Sequence, residues 1–142
     1  MADELFVREC HENEAEAVLV VWRQADTTVS QTDTIKDIQR AINWSGTSVL
    51  VAESRGRLVG TVIGTFDGWQ GNIYRLEVLP DFRRRGVAHK LVAEAEKRMA
   101  ELGARRITAL VERESTLGPP ATGTPQVTKS TISWPGTFAT SN

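Results

Sequence analysis

The stretch Tyr74-Arg75-Leu76-Glu77-Val78-Leu79-Pro80-Asp81-Phe82-Arg83-Arg84-Arg85-Gly86-Val87-Ala88-His89-Lys90-Leu91-Val92 decides the fold, together with Gly103 and Arg106-Ile107-Thr108-Ala109-Leu110-Val111 further on. It reads strand, basic glycine turn, helix, strand. Pro80 halts the first strand, because proline has no N–H to give to a ladder. After the turn, Ala88, Leu91, Val92, Ala95 and Met99 form one apolar stripe at helical spacing. Lys90, Glu94, Glu96, Lys97, Arg98 and Glu101 fall mostly off that stripe, and Gly103 marks the helix end. The unit is therefore βαβ, with its two strands parallel. At the mouth of the helix stand Arg83, Arg84, Arg85 and Gly86. A glycine there leaves backbone N–H groups pointing outward, the helix dipole adds partial positive charge, and the arginines add more. Such a site suits an anion, above all a phosphate.

Upstream, residues 5–10 read as a first strand, and Ala15, Val18, Leu19 and Trp22 fall at helical spacing. Residues 26–31 are polar and predict a loop. Thr32 or Asp33 is placed to cap a second helix carrying Ile35, Ile38, Ala41 and Ile42 on one face. Residues 48–53 and 58–66 predict strands joined by the turn Ser54-Arg55-Gly56-Arg57. Gly60 and Gly64 inside the second of these predict a bulge or a close backbone approach. Asp67-Gly68 is the strongest hairpin signal in the chain and leads to a strand over 72–78. These three strands form an antiparallel meander.

The chain has 142 residues, enough for one domain with a core, and is 40% hydrophobic and 25% charged. Its net charge of −1 favours neither nucleic acid nor a membrane surface. No apolar run nears the roughly 18 residues of a membrane span. The opening Met-Ala-Asp-Glu-Leu lacks the basic region of a signal peptide. The single cysteine, Cys10, excludes an internal disulfide framework and points to a reducing, cytoplasmic home. It reads as a small core residue. His11 and His89 have no spacing partner, so no metal is expected.

Arg83-x-x-Gly86-x-Ala88 resembles the acetyl-CoA signature of the GNAT N-acetyltransferases, Gln/Arg-x-x-Gly-x-Gly/Ala. The resemblance covers about the first four fifths of the chain in the family's order: strand, two helices, meander, signature, helix, strand. Val59-Gly60-Thr61-Val62-Ile63-Gly64 with Asp67-Gly68 looks like a small bacterial subgroup of YpeA type. The resemblance implies an α/β (α+β) GNAT fold: a mixed sheet with the meander and a splayed parallel pair, flanked by helices. It implies acetyl-CoA as cosubstrate, with the pyrophosphate held by Arg83, Arg84, Arg85, Gly86, Val87, Ala88 and His89, through backbone N–H groups assisted by arginine side chains. Leu76 and Val78 would offer backbone groups to the pantetheine arm, and an N–H near them would polarise the thioester carbonyl. Glu77 is the candidate base, with Asp67 and Glu53 as alternatives. In many relatives a tyrosine after the last parallel strand protonates the thiolate; here Tyr74 is the only tyrosine.

Residues 115–142 change character: they hold Pro119, Pro120, Pro125 and Pro135, and Lys129 is their one charged residue. Family members continue with a helix ending aromatic-aromatic-x-x-x-Gly-Tyr/Phe and two closing strands. Taking the third base of each codon with the first two of the next, permitted codons let residues 115–131 encode His/Asp-Pro-Trp-Ala-x-Gly-Tyr-Trp-x-x-x-Gly-Tyr-Glu-Val-Asp. Residues 134–142 can then encode Ala-Arg-Tyr-Val-Arg-Asn-Leu and a stop. The expectation is a GNAT acetyl-CoA-binding domain over 1–114 and a non-native or irregular tail from a shifted frame over 115–142. Closing strands would be missing, the last native strand would become an open edge, and a homodimer would cover it.

Three functions follow from different classes. The first is transfer of acetyl from acetyl-CoA to a primary amine, borne by a small molecule or by a protein or peptide. The second is a CoA-binding domain without turnover. The third, a nucleotide-phosphate module, lacks the Lys-Ser/Thr of a P-loop after the glycine turn. The sequence leaves small amine, peptide N-terminus and aminoglycoside open as acceptors.

Overall fold

Two tight turns build the middle of the sheet. Arg55 and Gly56, at φ 52° and 75°, turn β2 (Thr47–Ser54) into β3 (Arg57–Phe66). Asp67 turns β3 into β4 (Gly71–Val78): its Oδ1 accepts the N–H of Trp69 and of Gln70, each at 2.8 Å, and Gly68 takes φ 95°. β1 (Leu5–Glu9) lies antiparallel on the other side of β2. The computed structural model describes residues 4–25, 30–113 and 128–134, with the backbone alone for 110–113 and 128–134. Within them the sheet has six strands in the order β1-β2-β3-β4-β5-β6, where β5 is Ile107–Arg113 and β6 is Thr128–Trp134. Only the β4–β5 pair is parallel, as a βαβ crossover requires.

The helices divide between the two faces. α1 (Ala15–Gln24) and α2 (Ile35–Ile42) cover one, where Val18, Leu19, Trp22 and Ile38 pack on Val49 and Val51. α3 (Val87–Leu102) covers the other, with Val87, Leu91, Val92, Ala95 and Met99 against Leu50, Val59, Val62, Ile73 and Ile107. Leu91 and Met99 are fully buried, and each contributes about 1.5–3 kcal/mol by leaving water. The close approach predicted at Gly60 and Gly64 is the seat of α3. A Cβ at Gly60 would stand 3.0 Å from Leu91 Cδ1 and 3.1 Å from Val87 Cγ1, and one at Gly64 would stand 3.2 Å from Met99 Cε.

Two expectations need correction. α2 is capped by Thr34, not by Thr32 or Asp33: the Thr34 hydroxyl accepts the Asp37 N–H at 3.1 Å. Asp33 is drawn away to β4 instead, as described below. The outer edge of β5 is not open, because β6 pairs antiparallel along it from Ile107↔Trp134 to Arg113↔Thr128. Thr128, Thr131, Ile132 and Trp134 are β-formers, and an unpaired ladder is available to them. Residues 115–127 and 135–142, to which most of the shifted-frame expectation applies, lie outside the described residues.

Candidate active site

The parallel ladder is short. β4 and β5 pair at Gly71↔Ile107, Asn72↔Thr108 and Ile73↔Ala109, and the pairing ends there although both strands continue. The cause is a bulge at Arg75, which takes φ 51°. Opposite it, β3 advances from Ile63 to Thr61 while β4 advances from Tyr74 to Glu77, two residues against three. A bulge bends its strand and re-aims its side chains. Here Tyr74, paired with Ile63, and Arg75 both serve the α1/α2 face, and Leu76 returns to the α3 core. Glu77, register partner of Thr61, shares that residue's face. Thr61 is bonded to Trp22 of α1, so Glu77 lies on the α1 side and Val78 on the α3 side.

A non-glycine residue at positive φ is strained by about 1–3 kcal/mol, and a local network offsets that. The Thr61 hydroxyl, fully buried, donates to the Arg75 carbonyl at 3.1 Å and accepts the Trp22 Nε1–H at 2.9 Å. The Arg75 guanidinium lies 4.5 Å from the Trp22 ring centre, and its Nη2 donates to Asp33 Oδ1 at 2.6 Å. Trp22 is thus more than the packing residue its spacing suggests. Nothing in the sequence assigns this network to Asp33, Thr61 and Arg75, which stand there only as a candidate cap and as strand residues.

Where β4 ends, the glycine turn forms the second half of the site. Arg84 and Gly86 take φ 64° and 79°, and a Cβ on Gly86 would meet nothing within 4 Å. The first helical bond of α3 runs from the Lys90 N–H to the Gly86 carbonyl at 3.1 Å. The N–H groups of Val87, Ala88 and His89 precede it and have no partner within the helix. Arg84 and Arg85 are exposed, and the Arg85 guanidinium lies 5.2 Å from the Phe82 ring centre. Arg83 is exposed too, but its guanidinium folds back on the chain: its Nε donates to the Val78 carbonyl at 3.2 Å and its Nη2 to the Ala25 carbonyl at 3.3 Å. Its side chain ties the turn to β4 and to the end of α1.

On the α1/α2 face, beside the bulge, lies a cleft of about 510 Å³ whose walls include Trp22, Asp33, Trp44, Ile63, Tyr74 and Arg75. The alternative bases lie elsewhere. Asp67 caps the hairpin turn, where the N–H groups of Gln70 and Trp69 hold its carboxyl below the usual range. Glu53 is bound by Arg8 at 2.8 Å. Burial pushes the Cys10 thiol up to about 11, so it stays protonated at neutral pH. Among the described residues, no group of three or more His, Cys, Asp or Glu is arranged to hold a metal ion.

A family model for the acetyltransferase (GNAT) family matches residues 9–118. The chain belongs to the GNAT acetyltransferase family. Among its relatives, Acetyltransferase ECA0875 of Pectobacterium atrosepticum is 36% identical over 109 residues, 77% of each chain. Acetyltransferase YE1169 of Yersinia enterocolitica is 34% identical over the same shares. Solved structures carry the same fold. The PaiA N-acetyltransferase of Thermoplasma acidophilum, in complex with coenzyme A, superposes with a TM-score of 0.70 at 18% identity, over 81% of this chain and 84% of that one. A GNAT acetyltransferase of Staphylococcus aureus Mu50 gives 0.68 at 13% identity, over 92% and 97%. The GNAT frame thus fits the parting of β4 from β5 and the glycine turn beside it.

Proposed function

We propose that this chain transfers the acetyl group of acetyl-CoA to a primary amine by direct attack. The observation that carries the proposal is the end of the β4–β5 ladder at Ile73↔Ala109, next to the open N-terminus of α3. The relatives named as acetyltransferases, and the coenzyme A bound in the PaiA structure, support the choice of cosubstrate.

In this account the backbone N–H groups of Arg84, Arg85, Gly86, Val87, Ala88 and His89 hold the pyrophosphate, where the helix dipole adds attraction. The Arg84 and Arg85 side chains add charge, while Arg83 holds the turn in shape. The pantetheine arm runs along the freed edge of β4 on the backbone groups of Leu76 and Val78. The Leu76 N–H donates to the thioester oxygen, and one such donor is worth about 10²–10³ in rate. The amine enters from the α1/α2 face. Once its ammonium proton is gone, the neutral nitrogen bonds to the acetyl carbon, the C–S bond breaks, and the nitrogen's second proton passes to the departing thiolate. Glu77, on that face, takes the ammonium proton through water.

The acceptor is a small-molecule amine or an amine of a protein or peptide. CoA binding without turnover is the second reading, favoured by the absence of any tyrosine after Tyr74. Thiol release from acetyl-CoA across a panel of amines tests the proposal. Amine-dependent release is the expected result. Stabilisation by ATP in place of acetyl-CoA in a thermal-shift assay would contradict the site assignment.

A further inference from the structure

The cleft beside Arg75 has a chemistry of its own. Its charges are balanced in pairs: Asp33 lies 2.6 Å from Arg75, and Asp37 lies 4.0 Å from Arg40. Its other walls are largely apolar, with Ile38 and Ala41 from α2, Ile63 from β3 and Tyr74 from β4. Trp44 stands at the rim, 64% exposed. A polycation finds no unbalanced carboxylate among these groups, whereas an apolar body finds an apolar wall. One polar need remains. Arg75 Nη1 is buried with no hydrogen-bond partner among the described residues, and a buried donor left unpaired is costly. The Asp33 carboxylate holds Nη2, so a ligand oxygen brought against Nη1 would give the guanidinium the partner it lacks without taking Asp33 from it. The volume of about 510 Å³ lies within the roughly 300–1,000 Å³ of small-molecule sites.

Resting on the acetyltransferase reading of this site, we infer that the acceptor is a free α-amino acid with an aromatic or branched aliphatic side chain. Its carboxylate pairs with Arg75, its side chain lies on the wall of Trp44, Ile63 and Tyr74, and its amine faces the bulge. A zwitterion adds no net charge to a cleft whose charges already cancel.

The test leaves Arg75 untouched and removes its partner from the ligand instead. Thiol release is compared for L-phenylalanine, L-leucine, L-phenylalanine amide, phenethylamine, spermidine and kanamycin. The amino acids are expected to exceed spermidine and kanamycin in kcat/KM by about tenfold or more. Loss of the carboxylate in phenethylamine or in the amide is expected to cost about tenfold again, the scale of a charged hydrogen bond. Trp44→Ala, at an exposed position, should raise KM for L-phenylalanine about tenfold and leave kcat within about twofold. Preference for spermidine or kanamycin, equal use of phenethylamine, or an unchanged KM in Trp44→Ala would overturn the inference. If acetyl-CoA binds but no amine releases thiol, the transfer reading fails and binding decides the acceptor class. With CoA present, saturable quenching of tryptophan fluorescence by L-phenylalanine, about tenfold tighter than by phenethylamine, upholds it. No saturable binding of L-phenylalanine overturns it.

Discussion

Gly86 shows what a single backbone conformation can demand. Its φ of 79° favours glycine, yet the space a Cβ would fill is empty. Gly86→Ala and Gly86→Asp should therefore both fold, each with about 1 kcal/mol of strain. They should differ in cofactor binding: calorimetric titration should show a loss of a fewfold for alanine and of more than about tenfold for aspartate, whose charge opposes the pyrophosphate. The place of this residue was legible, because a glycine just before an amphipathic stripe marks the mouth of a helix. Arg75 was not, because a positive φ at a non-glycine residue depends on Thr61, Trp22 and Asp33, which are distant in sequence. Glu14 makes a separate prediction. Hydrogen bonding to Arg8 lowers its carboxyl to about 2 from an ordinary 4.5. A depressed carboxyl contributes stability above its unfolded value, and that contribution is lost as pH falls through the window between these two values. At this partly exposed pair, screening reduces the effect to about 1 kcal/mol. Urea melts from pH 6 to 2.5 should show it, and Arg8→Ala should flatten that part of the profile.

At the scale of elements, α3 and the meander could be read because helical periodicity and turn chemistry act over a few residues. The faces of β4 could not, because one extra residue at the bulge breaks the alternation that such reasoning uses. Gly60 and Gly64 predict either a bulge or a close approach from sequence; the structure shows close approaches and ranks them. A methyl at Gly60 meets Leu91, Val87 and, at 3.2 Å, the Glu77 carbonyl; at Gly64 it meets the flexible end of Met99. Gly60→Ala should cost about 1–3 kcal/mol by overpacking and Gly64→Ala distinctly less, measured by denaturant midpoint at constant m. Equal costs would mean that α3 does not sit on β3 as described. β6 escaped the sequence reading because its seven residues show no clean alternation; its β-formers pair where β5 leaves a ladder open.

For the whole molecule, the glycine turn proposed for the cofactor and the cleft proposed for the acceptor both adjoin β4, the turn beyond its end and the cleft at Tyr74 and Arg75. The shifted-frame account of residues 115–142 makes its own prediction. The gene's codons should encode the aromatic ending in the neighbouring frame, and a single-base correction should raise Tm by several degrees. Codons that cannot give that ending would refute it. Both proposals rest on where acetyl-CoA lies, so a crystal structure with acetyl-CoA is the most direct test. The account predicts the pyrophosphate on the N–H groups of residues 84–89 and the acetyl oxygen within hydrogen-bond reach of the Leu76 N–H, between β4 and β5. Acetyl-CoA bound away from this parting, with the Leu76 N–H facing no ligand, would contradict it.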